Sequence, residues 1–473
     1  MTGTIASLLV GHRSGEVALR DTVARTFARI REVDDPAIFI SLREEGAVLA
    51  DARELLAGKN SGLPLYGVPV AIKDNIDVAG LPTTAACPAY AYTPGRDATV
   101  VERLRAAGAL IVGKTNLDQF ATGLVGTRSP HGMPRNPLRS DLVCGGSSSG
   151  SAVAVATGIV PLALGTDTAG SGRVPAALNN IIGLKPSLGV VSTSGVVPAC
   201  RSLDCVSIFA LTAEDAFAAL AAIAGPDASD PYSRTVQLGV LSALPPRLRI
   251  AVPRAADRIF HGDAEAEAAF ESAQRIVERL GASLVEIDLA PFFETARLLY
   301  EGPWVAERTA AVGDFIARHP DAVHPVTRQI ISAGANASAV DLFRCLHRLA
   351  ELRAAALKAS AGTDALIVPS IPRPCTIAEV AADPIGANAM LGTYTNFVNL
   401  LDLAALACPV SLGARGTPFG VTFLAPSGSD GLLASLGAAV QAHNGLPLGA
   451  LRIGRRCEPL FPLAAQAREG NQS

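Results

Sequence analysis

At 473 residues the chain is long enough for one large α/β domain or up to about three smaller ones. Its 49% hydrophobic and 18% charged residues exclude a disordered or solvating chain, and a net charge of -3 leaves no basic surface for nucleic acid. Eight cysteines without a C-x-x-C pair or Cys/His ligand spacing argue against a zinc site or a disulfide framework and for free thiols in a reducing cytosol.

Leu19, Val23, Phe27 and Ile30 recur at helical spacing among arginines, which predicts an amphipathic helix within an N-terminal helical segment, 1–62, packed on the core. Val68 to Lys73 then reads as a strand, Thr99 to Ala107 as a helix, and Ala109 to Val112 as the next strand. Thr99 with Glu102 has the form of a capping box. Such alternation predicts parallel strands joined by crossover helices. A second unit of this kind spans Leu248 to Val252, Ala264 to Leu280 and Ser283 to Leu289.

Residues 291–358 are mostly helical without alternation and are expected to form an insertion beside the core. Strands at Ala365 to Pro369 and Phe419 to Leu424, followed by a helix from Gly431 to His443, return to the sheet. The longest apolar stretch, Ala152 to Leu164, is interrupted by Thr157, Gly158 and Pro161 and is too short to span a bilayer. No basic and apolar leader opens the chain, so a cytoplasmic location without membrane contact is expected.

The chemistry concentrates between Gly145 and Pro186. Two serine-glycine loops, Gly145 to Ser151 and Gly165 to Arg173, bracket a short apolar segment, and neither contains a histidine. A serine nucleophile needs a proton acceptor, and Lys73, at the end of an apolar strand, supplies one if burial lowers its pKa. Either loop alone reads more readily as a plain turn or flexible segment, and Lys73 alone as a solvated strand end. A phosphate cradle is excluded because no Gly-Lys-Ser/Thr follows the glycines of these loops and no G-x-G-x-x-G opens a helix. Ser171 lies where the apolar run Leu162 to Gly165 turns through Gly170 and Gly172 toward a helix. The N–H groups of Thr168, Ala169, Gly170 and Ser171 are therefore candidates for an oxyanion hole.

Taken together, the strand ending in Lys73, the Gly-Gly-Ser-Ser loop and the Gly-Thr-Asp-x-x-Gly-Ser-x-Arg-x-Pro loop resemble the amidase signature family. The resemblance covers residues 63 to 426 and implies an α/β fold with a large mixed and mostly parallel central sheet covered by helices on both faces. It implies a catalytic domain over 63–460 and a tail at 461–473. It also implies a triad of Lys73, Ser147 and nucleophilic Ser171, a cis peptide bond at Gly146-Ser147, and a supporting Asp167–Arg173 pair. No cofactor or metal is implied.

Three further stretches, Asp77 to Pro88, Thr115 to Pro130 and Tyr300 to Arg308, resemble the allophanate-hydrolysing branch of that family. This implies that Tyr300, Arg308 and Gly123 hold the substrate allophanate, whose carboxylate suits a guanidinium. It also implies a homodimer, a functional link to a biotin-dependent urea carboxylase, and a chain lacking the C-terminal domain that many of that branch carry. Another amidase, the amidase component of a tRNA-dependent amidotransferase or an inactive scaffold are the alternatives.

Overall fold

The computed structural model describes residues 3–413 and 415–451. Cys457 and the tail at 461–473 lie outside the described residues. Eleven strands form one sheet: β1 (Phe39–Leu42), β2 (Pro69–Lys73), β3 (Leu110–Thr115), β4 (Leu162–Asp167), β5 (Ile182–Lys185), β6 (Cys205–Ala210), β7 (Arg249–Pro253), β8 (Ser283–Ile287), β9 (Ala365–Pro369), β10 (Leu403–Leu412) and β11 (Pro418–Pro426). Their spatial order is β1-β3-β2-β4-β6-β5-β10-β11-β9-β7-β8.

Parallel pairing occupies two blocks, β2 with β3 and β4, and β7 with β8 and β9. These are the stretches where helices and strands alternate in sequence. The intervening pairs, from β4–β6 through β11–β9, are antiparallel, as is β1–β3. The reason is local for β10 and β11, which a short loop joins without a crossover helix, so the chain can only return antiparallel.

Both faces of the sheet are covered. Val70, Ile72, Leu162 and Leu164 enter one apolar cluster with the helices Thr99–Ala106, Ala213–Ile223 and Asp430–Asn444. Ala71 and Ala163, pointing the other way, enter a second cluster with Leu19–Val33 and Ser149–Ala156. Burial on both faces explains why these strands read as continuous apolar runs rather than alternating ones.

Several expectations shift in detail. The N-terminal segment is not only helical, because β1 adds an edge strand beside β3. No capping box forms at Thr99: the N-cap is Ala98, and the Thr99 hydroxyl donates instead to Asp227 at 2.7 Å. The non-alternating stretch holds the helices Ala290–Glu301, Trp304–Arg318, Pro325–Ala333 and Ala339–Ala359. Among the described residues no helix is long and apolar enough to cross a membrane.

Candidate active site

The site forms where β2 and β4 end side by side. The parallel register sets Ile72 opposite Leu164, so Lys73, the last residue of β2, falls beside the last three residues of β4, Gly165 to Asp167. Clefts at the carboxyl ends of parallel strands are where α/β sheets place their ligands. Lys73 is fully buried, and its Nζ donates to Ser147 Oγ at 2.8 Å and to Thr166 Oγ1 at 2.7 Å. Burial pulls the amine down from 10.5 to about 7, against the opposing charges of Asp118, Asp167 and Asp204. Near neutrality, therefore, a substantial share of Lys73 is uncharged and able to accept a proton.

Ser147 follows a cis Gly146-Ser147 bond. The segment is held on both sides, since Gly146 N–H donates to Leu124 O at 2.8 Å and Asp118 N–H to Ser147 O at 3.0 Å. Just beyond, the chain enters the buried helix Ser149–Ala156.

Ser171, 3% exposed, sits in the turn between β4 and the helix Arg173–Leu178. Its Oγ points to the carbonyl of Gly123 at 3.4 Å, and no hydrogen bond joins it to Ser147. The structure thus brings Lys73 and Ser147 into direct contact, while the Ser171 hydroxyl is turned to Gly123. No histidine is hydrogen-bonded to the side chain of any of the three among the described residues.

The turn is held by the pair Asp167–Arg173. Arg173 Nη2 and Nε donate to Asp167 Oδ1 and Oδ2 at 2.8 and 3.0 Å, and both side chains are fully buried. Burial alone would raise the Asp167 carboxyl, but the charge and hydrogen bonds of Arg173 hold it below its usual range. The same carboxylate accepts the N–H groups of Gly170 and Gly172, each at 2.9 Å. This corrects the role of Gly170 in the oxyanion hole, because its N–H already has a partner. Its lack of a side chain is what the turn uses: φ is +135°, and a Cβ would lie 2.4 Å from Thr395 Oγ1. The N–H groups of Thr168, Ala169 and Ser171 have no acceptor among the described residues and remain available to a developing oxyanion. Substituting Arg173 by Met strands a buried carboxylate, so urea unfolding is expected to show a loss of about 3–5 kcal/mol. An unchanged midpoint would contradict that.

Arg308 is carried by the helix Trp304–Arg318 and is 2% exposed. Its Nη1 donates to Thr122 Oγ1 at 3.0 Å, and its guanidinium lies 5.5 Å from the centroid of the Tyr300 ring. It forms no ion pair among the described residues. Neighbouring Glu307 accepts from the Ser202 hydroxyl at 2.7 Å and the Cys200 thiol at 3.0 Å instead. Gly123 lies between Thr122 and Leu124 with φ +156°, and a Cβ there would meet Asp118 Oδ2 at 2.5 Å. The contacts therefore run Arg308 to Thr122, then along the chain to Gly123, then to Ser171. Tyr300 lines a cavity of about 570 Å³, whose walls also include Arg128, Asn388 and Asn396. Trp304 is packed with Ala169, Leu203 and Leu400 and belongs to the core beneath the site.

Sequence reasoning passed over Thr166, which shares the Lys73 amine with Ser147, and Asp204, which takes the Thr168 hydroxyl and the Ala199 and Cys200 N–H groups. A signal existed for Thr166, which stands in the second serine-glycine loop immediately before Asp167. Asp204 lies outside every motif.

A family model described as amidase matches residues 21–434. The urea amidolyase of Saccharomyces cerevisiae is 50% identical over 79% of this chain, which spans 20% of that protein's length. The urea amidolyase of Lachancea kluyveri is 48% identical over 85% of this chain, which spans 22% of that protein. In three dimensions, the Kluyveromyces lactis allophanate hydrolase superposes with a TM-score of 0.89 at 42% identity, covering 96% of this chain and 75% of that one. The chain belongs to the amidase family, amidohydrolases that act on carbon–nitrogen bonds.

Proposed function

We propose that this amidase hydrolyses the terminal amide of allophanate, with Ser171 as nucleophile and Lys73 as base acting through Ser147. The observation that carries the substrate reading is the buried guanidinium of Arg308, in no ion pair among the described residues, stacked on Tyr300 and bonded to Thr122, one residue from Gly123, which touches Ser171. A buried cation that acts on the Asp204 carboxylate only beyond ion-pair distance favours an anionic ligand, and a carboxylate can take two parallel hydrogen bonds from it. The likeness to proteins named urea amidolyase and allophanate hydrolase supports the same choice.

In the proposed cycle neutral Lys73 accepts a proton from Ser147, which accepts one from Ser171 as its Oγ bonds to the amide carbon. The carbonyl oxygen becomes an oxyanion facing the N–H groups of Thr168, Ala169 and Ser171. The carbon–nitrogen bond breaks, and ammonia leaves with the proton returned along the relay. Water then adds to the acyl-enzyme by the same route and frees N-carboxycarbamate, which loses carbon dioxide. The reading places the reaction after a biotin-dependent urea carboxylase and includes a cytoplasmic homodimer.

Ammonia release tests the assignment. Wild-type protein is expected to release ammonia from allophanate and not from glutamine or an aryl amide; the reverse preference would overturn the substrate. Arg308→Met is expected to raise KM by about 10- to 100-fold, the worth of one charge-assisted pair, with a smaller effect on kcat. A fall confined to kcat would remove Arg308 from substrate capture.

A further inference from the structure

A second guanidinium is bonded to the same residue, Thr122, as the first. Arg128 is 1% exposed and makes no ion pair among the described residues. Its Nη1 donates to Thr122 O at 3.1 Å and its Nη2 to Pro384 O at 2.7 Å, while Nε is buried without an acceptor. Two carbonyls thus engage two of the five N–H groups a guanidinium carries. The nearby buried carboxylate of Asp118 is turned to the N–H groups of Gly126 and Arg128 at 3.0 and 2.9 Å, not to the guanidinium.

Thr122 therefore receives a cation from either side, Arg128 at its carbonyl and Arg308 at its hydroxyl. Arg128 also lines the cavity walled by Tyr300, whose other charged lining residues, Arg297 and Glu301, are exposed at the rim. We infer that Arg128 and Arg308 together form a two-cation site for a short dicarboxylate, with Arg128 taking the second negative charge. The inference rests on the proposed reaction for its biological meaning. Hydrolysing the amide of a substrate that already carries one carboxylate replaces the departing ammonia with a water oxygen and creates a second. Arg308 takes the first charge, and two buried cations, neither in an ion pair among the described residues, favour a dianion over a monoanion.

The competing role for Arg128 is a clamp tying residues 122–128 to Pro384. Calorimetry on the Ser171→Ala chain separates the two, using malonate as the dicarboxylate and malonamate as its monocarboxylate counterpart. Malonate is expected to bind about tenfold more tightly, the usual worth of one charge-assisted contact. In Arg128→Gln the ratio is expected to fall to near one, and in Arg128→Lys to survive in part, with melting temperatures compared throughout. Equal affinities in the parent chain, or an unchanged ratio in a folded Arg128→Gln, would overturn the proposal. If Arg128→Gln does not fold, the parent comparison and Arg128→Lys decide. Malonate selectivity in a protein that leaves allophanate intact would uphold the two-cation site and sink the substrate, whereas allophanate hydrolysis without that selectivity would do the opposite.

Discussion

Ser171→Ala is expected to lower turnover by about 10⁴-fold or more while leaving the melting temperature within a degree or two of wild type. The argument is one of position. Ser171 shares its turn with the N–H groups of Thr168, Ala169 and its own residue, which have no acceptor among the described residues, and its Oγ makes a long hydrogen bond to Gly123 at 3.4 Å. Removing it costs little packing and takes away the oxygen that, in the proposed cycle, attacks a carbonyl bound over those donors. Ser147, by contrast, is pinned by Lys73 at 2.8 Å on a segment fixed by backbone hydrogen bonds, which suits a group that passes protons. Labelling with a fluorophosphonate followed by peptide mapping checks the order: the adduct belongs on Ser171, and Ser147→Ala should slow labelling without moving it. An adduct on Ser147, or a Ser171→Ala protein with a tenth of normal activity, would refute the assignment.

How much of this was legible in the chain depends on the range of the interaction that decides it. Lys73, Ser147 and Ser171 stand out because each sits in a dense local motif, and parallel pairing of β2 with β4 then brings the strand ends together. The Gly170 amide was misassigned because its fate depends on the side chain of Asp167, turned inward by Arg173. Glycine spacing carries no trace of that. Strand β10 escaped notice since Leu403–Leu412 is buried on both faces and shows neither alternation nor helical period. Arg128 stands within the stretch from Thr115 to Pro130, yet its meaning depends on Thr122 and on a helix about 180 residues away that carries Arg308. Capping at Thr99 failed for a similar reason, a hydroxyl claimed by Asp227 across the fold.

Lys73→Met is expected to abolish turnover and yet not to weaken the fold at neutral pH. The two effects share one cause. Burial holds the amine at about 7 in the native state against 10.5 when exposed, so the unfolded chain binds more protons between those values. Stability contributed at this position therefore rises with pH across that window and is lowest below it. At about 1.4 kcal/mol per pH unit the cost of keeping a lysine there at pH 7 or below is on the order of 5 kcal/mol, more than the two hydrogen bonds to Ser147 and Thr166 return at roughly 1 kcal/mol each. Methionine fills similar space without that cost, so the variant should match or exceed wild type in urea at pH 7 and lose the advantage as pH approaches 10. For activity the sign is reversed. The wild-type kcat/KM should climb through a midpoint of about 7 as Lys73 gives up its proton, and the variant should have neither the activity nor the acid limb. A wild-type profile flat from pH 5.5 to 8.5, or a Lys73→Met protein several kcal/mol less stable than wild type at pH 7, would show that the buried amine is a structural cation and not a base.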